Sequence, residues 1–316
     1  MKYMYRVRLL AYALRIPFLT MAFTILPAQA FTYITHQKII AMNDTSNTGN
    51  IKTHKHQSKD KQDISTFDSC AGPYALLNIL DRPTISDSVC AVKKGKILTE
   101  LGYDYQIETG NDFNTLETLP QIELRYGTGH NIELKLFPPN YKLQTTYTAG
   151  KTSRIFGYSN AGLGVKYEFE YGNKWGIATD TAVTFPSGTT DFGSNGTGVI
   201  VNGIFAYNIN ADISVGVQIG LFHLFSPVYS IQQTSVNPII VVTDQLNQIT
   251  DRLQIYAECY NTIDIMHDKG ILSFIDAGVQ YLLSQDIEID LEAGHNLADI
   301  PYNNTTYVGF GTGVEF

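Results

Sequence analysis

Carboxylates recur at every second position in parts of this chain. Glu168 and Glu170 do so in one segment, and Glu288, Asp290 and Glu292 in another. Asp180, Glu258 and Asp276 stand singly within runs of the same kind. Ile287, Ile289, Leu291 and Ala293 alternate with Glu288, Asp290 and Glu292. A period of two puts the acids of a strand on one face and the apolar residues on the other. Wrapped around a lumen, such a face lines a polar, net-negative pathway that favours cations or neutral solutes. Lys166 and Arg125, with Lys135 and Arg252, are candidate counter-charges. The same residues could equally pair across neighbouring strands and fill a narrow lumen.

Other chemistry is weakly represented. His54 and His56 lack the Cys or carboxylate partners that complete a zinc site, so no metal is expected. There is no phosphate-binding loop and no dinucleotide fingerprint, so no cofactor is expected. His223 and His295 are near Ser226 and Asp290 in sequence, but no G-x-S-x-G frame surrounds a serine. Nearness along a strand does not bring side chains together, and an enzyme is not expected. The net charge of -8 argues against a nucleic-acid partner, which would call for a basic face.

The elements that must position the acids begin after an export signal. Residues 1–30 have a basic start (Lys2, Arg6, Arg8, Arg15), an apolar stretch from Ile16 to Leu26, and Ala28-Gln29-Ala30 as a cleavage site. Residues 31–65 are polar and basic and predict a disordered periplasmic extension. Residues 66–94 carry Pro73, Pro83, Cys70, Cys90 and the apolar run Tyr74 to Leu80. They predict an ordered segment at a barrel mouth or an inward-folded plug. Pairing of Cys70 with Cys90 is expected, because the compartment permits disulfides. Cys259 falls inside a strand pattern and is expected to be a free thiol.

Residues 95–316 have period-two patterning throughout. Mean hydropathy is only -0.07 although 44% of residues are hydrophobic, with 26 glycines and 20 tyrosines. Alternate-residue exposure to lipid produces that combination, so the fold class is all-β: a transmembrane antiparallel up-and-down β-barrel of about twelve strands. The spacing predicts strands at 96–108, 119–126, 131–137, 143–148, 161–171, 175–185, 198–209, 212–225, 252–265, 271–284, 285–297 and 306–316. Tight turns are expected at Gly172-Asn173, Asn210-Ala211 and Ser284-Gln285. Longer links near 186–197, 226–250 and 298–305 are expected on the outer side, with 226–250 the main extracellular loop. Aromatics at Tyr167, Phe169, Tyr171 and Trp175, and at Phe222, Phe225 and Tyr229, predict interfacial girdles. In the closing strand Val308, Phe310, Val314 and Phe316 are expected to face lipid and Gly309, Gly311 and Gly313 the lumen. Phe316 is the expected assembly signal. The expected partners are the lipid bilayer of a Gram-negative outer membrane, the barrel-assembly machinery and a small solute.

Several motifs occur in a recognisable order: E-x-G-Y-x-Y at Glu100–Tyr105, P-x-x-x-L-R-Y-G at Pro120–Gly127, E-L-x-L-F-P-P at Glu133–Pro139, G-L-G-V-K-Y-E-F at Gly162–Phe169, F-P-S-G at Phe185–Gly188, and the closing G-x-G-V-E-F. In this order the chain resembles outer-membrane barrels of the meta-pathway phenol-degradation (transporter-like) family, from Cys90 to Phe316. It departs from the family pattern at Val165-Lys166, where an acidic residue is usual. The resemblance implies a channel or transporter for small, often aromatic or hydrophobic compounds. A structural or surface-interaction barrel with a closed lumen is the alternative.

Overall fold

The computed structural model describes residues 70–110, 112–169, 174–226, 232–266, 271–297 and 303–316. The expected signal peptide and extension (1–65), the Gly172-Asn173 turn, Tyr171 and Tyr229 lie outside the described residues.

Twelve antiparallel strands form the wall. The strands β1 (Ile97–Gly110) and β2 (Phe113–Gly129) are unbroken. β3 comprises Ile132–Phe137 and Tyr141–Thr148, and β4 comprises Lys151–Tyr158 and Gly162–Glu168. Each half of β3 pairs with β2 on one side and with the matching half of β4 on the other, so each broken pair is one strand. Pro138 and Pro139 fall in the β3 break, where no N–H is available to a ladder. The remaining strands are β5 (Trp175–Thr184), β6 (Thr197–Asn208), β7 (Ile213–Phe225), β8 (Gln233–Gln245), β9 (Leu253–Asp264), β10 (Ile271–Leu282), β11 (Ile287–Asn296) and β12 (Asn303–Glu315).

Every strand pairs with its sequence neighbours, and β1 pairs with both β2 and β12. Closure removes the free edge that an open sheet would present. At the seam the Phe316 N–H donates to the Ile97 carbonyl at 2.8 Å, and Phe316 itself is exposed.

The expected count of twelve is right, but through two compensating errors. Segments 131–137 and 143–148 are one strand rather than two. The segment 226–250, expected as a long loop, contains β8. Its sequence hides the strand, because Pro238 sits inside it and polar residues interrupt the alternation. On the β9 side the pairing skips from Val236 to Ile239, which accommodates the proline without a ladder bond. The outer half of β4, Lys151–Tyr158, was also unforeseen. It is almost wholly exposed, so burial imposes no period on it.

Side chains follow the pleat. On β11 the residues Ile287, Ile289 and Leu291 are exposed, while Glu288, Asp290 and Glu292 are buried. The same inversion holds on β4, where Leu163 and Val165 are 52% and 45% exposed and Lys166 is 0%. An apolar exterior over a charged interior is the reverse of a water-soluble sheet, and it suits a hydrocarbon surround. Exposed Tyr167, Phe169, Trp175 and Tyr207 gather towards one mouth, and Phe185 and Phe225 towards the other. Phe222 does not join the second belt. It alternates with exposed Leu221 and turns inward against Gly198.

The outward face should tolerate charge by depth. Leu291→Arg, mid-strand on β11, should lower the folding free energy in lipid vesicles by about 2–4 kcal/mol, and Ile249→Arg in the β8–β9 turn by about 0–1 kcal/mol. Denaturant titration of vesicle-folded protein measures both.

Candidate functional site

The interior of the barrel holds residues 74–92, within a described segment that runs from Cys70 to Lys96. A short helix, Leu76–Ile79, starts the segment, and Cys70 is bonded to Cys90. Leu76, Leu77, Ile79, Leu80, Val89 and Val92 form an apolar cluster with the inward residues Leu98, Ala178, Ile204 and Leu282. Glycines on β1 and on the closing strand make room for it. A side chain at Gly313 would collide with Leu80, and one at Gly102 or Gly311 with the Arg82 guanidinium.

The rest of the segment is extended and cannot satisfy its own backbone. Barrel side chains do this instead. Glu100 on β1 accepts the N–H groups of Asp81 and Arg82 at 3.2 and 2.8 Å. Glu258 on β9 accepts those of Ile85 and Ser86, both at 2.9 Å. Glu168 on β4 accepts the Ala91 N–H at 2.5 Å, and Glu133 on β3 the Val92 N–H at 2.7 Å. Gln218 on β7 accepts the Asp87 N–H at 2.8 Å. In the other direction, Arg125 donates to the Ile79 carbonyl at 2.7 Å and Gln280 to that of Arg82 at 3.0 Å.

Two adjacent residues of opposite charge divide the lumen. Asp81 faces β2, β3 and β4, from which it receives Arg125 at 3.3 Å, Lys135 at 2.7 Å and Lys166 at 2.8 Å. Arg82 faces β11, with Asp290 at 3.3 Å and Glu292 at 3.5 Å, and donates to Gln121 at 2.5 Å. Burial alone would push the Asp81 carboxyl up, but the three cations outweigh it and hold it well below the usual carboxylate range. Burial likewise opposes the Arg82 charge, and Asp290 and Glu292 more than restore it.

The sequence-predicted acids therefore fall into two groups. Asp180 pairs with Lys135 at 2.5 Å, and Glu168 lies on the same side. Glu258, Asp276, Glu288, Asp290 and Glu292 lie across the lumen on β9 to β11, where Asp276 accepts a hydrogen bond from Tyr307 at 2.6 Å. Glu288 is fully buried and forms no ion pair among the described residues. Glu170 lies outside the described residues. Lys166 and Arg125 are fully buried in the first group. Arg252 is not in the lumen; it is exposed at a turn and bonds the Leu283 carbonyl. Glu100, Asp104, Glu123 and Glu133 were missed, although their strands alternate. Asp81, Arg82 and Asp87 had no periodic signal to reveal them. His223 and His295 each bond a threonine on the next strand, Thr234 and Thr306. Cys259 is a free, half-buried cysteine.

Space remains beside the segment: one cavity of about 320 Å³ lies at the mouth by Lys94, His130 and Glu168, and two others lie further along it. The larger of these two, of about 360 Å³, is bounded by Ile85, Asp87, Phe137, Asn202, Asn237 and Tyr260, among others. The smaller, of about 90 Å³, lies between Leu77 or Val89 and the Ala206, Gly216 and Val241 wall.

A closed twelve-stranded antiparallel barrel with an apolar exterior and a charged, occupied interior is a transmembrane β-barrel of the outer-membrane type. Among solved structures, the COG4313 outer membrane channel from Pseudomonas putida F1 is similar, with a TM-score of 0.57 at 11% identity, covering 72% of this chain and 98% of that one. That likeness is one of fold. The NanC porin aligns more loosely, with a TM-score of 0.47 at 13% identity over 68% of this chain and 98% of that one. No protein-family model matches the chain, and no curated protein matches it.

The buried charges should behave as a coupled set. Arg125→Leu leaves Glu100 and Glu133 buried without their main cation and should cost about 3–5 kcal/mol, with the Arg125→Leu/Glu133→Leu pair recovering part of the loss. Unfolding of the three variants in detergent checks this. For Asp81 the sign follows from its lowered pKa. Its stabilisation is complete above about pH 4 and fades only as pH falls through the depressed folded value. Protease cleavage at exposed Lys93 and Lys94 should therefore stay equally slow from pH 7 to pH 5 in the wild type and be faster in Asp81→Ala.

Proposed function

We propose that this protein is an outer-membrane channel or transporter for small solutes, delivered by its N-terminal signal peptide, and that residues 66–94 act as its plug. The observation that carries the reading is the interior. A barrel kept only for structure could fill itself with apolar side chains. This one instead fills with an ion-paired segment and leaves cavities beside it. Twelve strands give a bore between the filled eight-stranded barrels and the open porins, wide enough to need a plug. The motif order resembling the meta-pathway phenol-degradation family favours small hydrophobic or aromatic compounds as cargo. Phe316, at the exposed end of the closing strand, is our choice for the signal read by the barrel-assembly machinery.

A second reading is a structural or surface-interaction barrel with a permanently closed lumen. The Cys70–Cys90 bond and the Asp81 and Arg82 ion pairs favour it, since the bond closes the segment into a loop and the ion pairs tie the middle of that loop to the wall.

Conductance in planar bilayers separates the two. The channel reading expects cation-preferring current, because lumen carboxylates outnumber the cations of Arg82, Arg125, Lys135 and Lys166. It also expects more frequent or larger openings in Asp81→Ala. Silence from both proteins would refute it in favour of the closed barrel, and anion preference would refute the acidic lining as the source of selectivity.

A further inference from the structure

The lumen is lopsided. Strands β1 to β4 and β9 to β11 meet the inner segment with charged or strongly polar side chains, and most of its hydrogen bonds go there. Strands β5 to β8 present a different surface. Apart from Asp180 on β5, which pairs with Lys135, their inward residues include Ala182, Asn202, Gly216, Gln218, Gly220 and Val241, which are small, apolar or uncharged. The cavities of about 360 and about 90 Å³ both open along this wall, one towards each mouth, and both are bounded by Asp87.

Asp87 is also what ties the segment to β6 and β7. Its N–H donates to Gln218 at 2.8 Å, and its carboxylate accepts from Asn202 at 2.8 Å and from Lys135 at 3.2 Å. These contacts lie where the two cavities would otherwise meet. We infer that the solute path runs between the inner segment and the β6–β8 wall, with the Asp87–Asn202–Gln218 contact as its constriction. The segment then need not leave the barrel for passage. The clamp on the charged side stays shut while the crescent opposite opens. This inference rests on the channel reading above and assigns its route.

The crescent also sets a solute class. Ile85, Ile239 and Val241 offer apolar contact, and Asn202, Asn237, Gln218 and Tyr260 offer hydrogen bonds without net charge. Lys135 is held by Asp81, Glu123 and Asp180 as well as Asp87, so it is not a free charge for a ligand. Small uncharged solutes with both apolar and hydrogen-bonding parts fit this lining.

Swelling of proteoliposomes in isotonic arabinose, a small neutral probe, tests the route with the full-length protein. Asp87→Ala and Asn202→Ala loosen the constriction and should speed swelling several-fold. Asn237→Phe and Thr243→Phe narrow the crescent on either side of it and should abolish the gain when combined with Asp87→Ala. Heat-modifiable migration on gels identifies which variants fold, and either phenylalanine variant alone suffices. Fast swelling that folded phenylalanine variants do not reduce overturns the route and leaves the channel intact. No swelling from any folded variant, Asp87→Ala included, overturns the channel reading and the route with it.

Discussion

The structure turns on the charge pair Asp81-Arg82. Two neighbouring residues of one chain segment bring opposite charges into a lumen whose wall cations cluster on one side and whose acids without wall cations lie on the other. Asp81 gathers Arg125, Lys135 and Lys166, and Arg82 engages Asp290 and Glu292. Buried ion pairs bring little net stability over apolar packing, because each ion must first be desolvated. Their worth here is in placement. A wall with buried cations clustered on one side and buried acids lacking wall cations on the other tolerates one insertion geometry for this segment far better than its alternatives.

That constraint explains features of the wall which are otherwise arbitrary. Gly102, Gly311 and Gly313 leave the volume that Arg82 and Leu80 occupy. Glu100, Glu133, Glu168 and Glu258 each point at backbone N–H groups of an extended segment that has no sheet or helix of its own to satisfy them. An acid in such a position is a hydrogen-bond acceptor for the inserted chain first, and a lining charge second. The outside of the barrel obeys a separate requirement. With no water in the hydrocarbon region, the wall must close its own ladder and show apolar side chains, and it does both.

Asymmetry between the walls then links fold to function. Charge is concentrated where the segment is clamped and is sparse along β6 to β8, where cavities remain. A solute route and a clamp need opposite surfaces, and the barrel keeps them on opposite sides of one small lumen.

Much of this was legible in the residues themselves. The alternation at Glu288–Glu292 and at Leu163–Lys166 gives strand, face and exposure together, because the pleat forces successive side chains to opposite sides. It failed where that coupling is weak: in β8, broken by Pro238, and in Lys151–Tyr158, where exposure on both faces erases the period. The class of barrel and the inward direction of the acids follow from such local rules. Their partners do not. Arg82 and Asp290 are 208 residues apart in sequence, and whether they meet depends on how the ring closes and what it encloses. A period of two says which way a carboxylate points. Only the tertiary structure decides what waits across the lumen, because an ion pair is set by distance in space and the sequence orders residues along the chain.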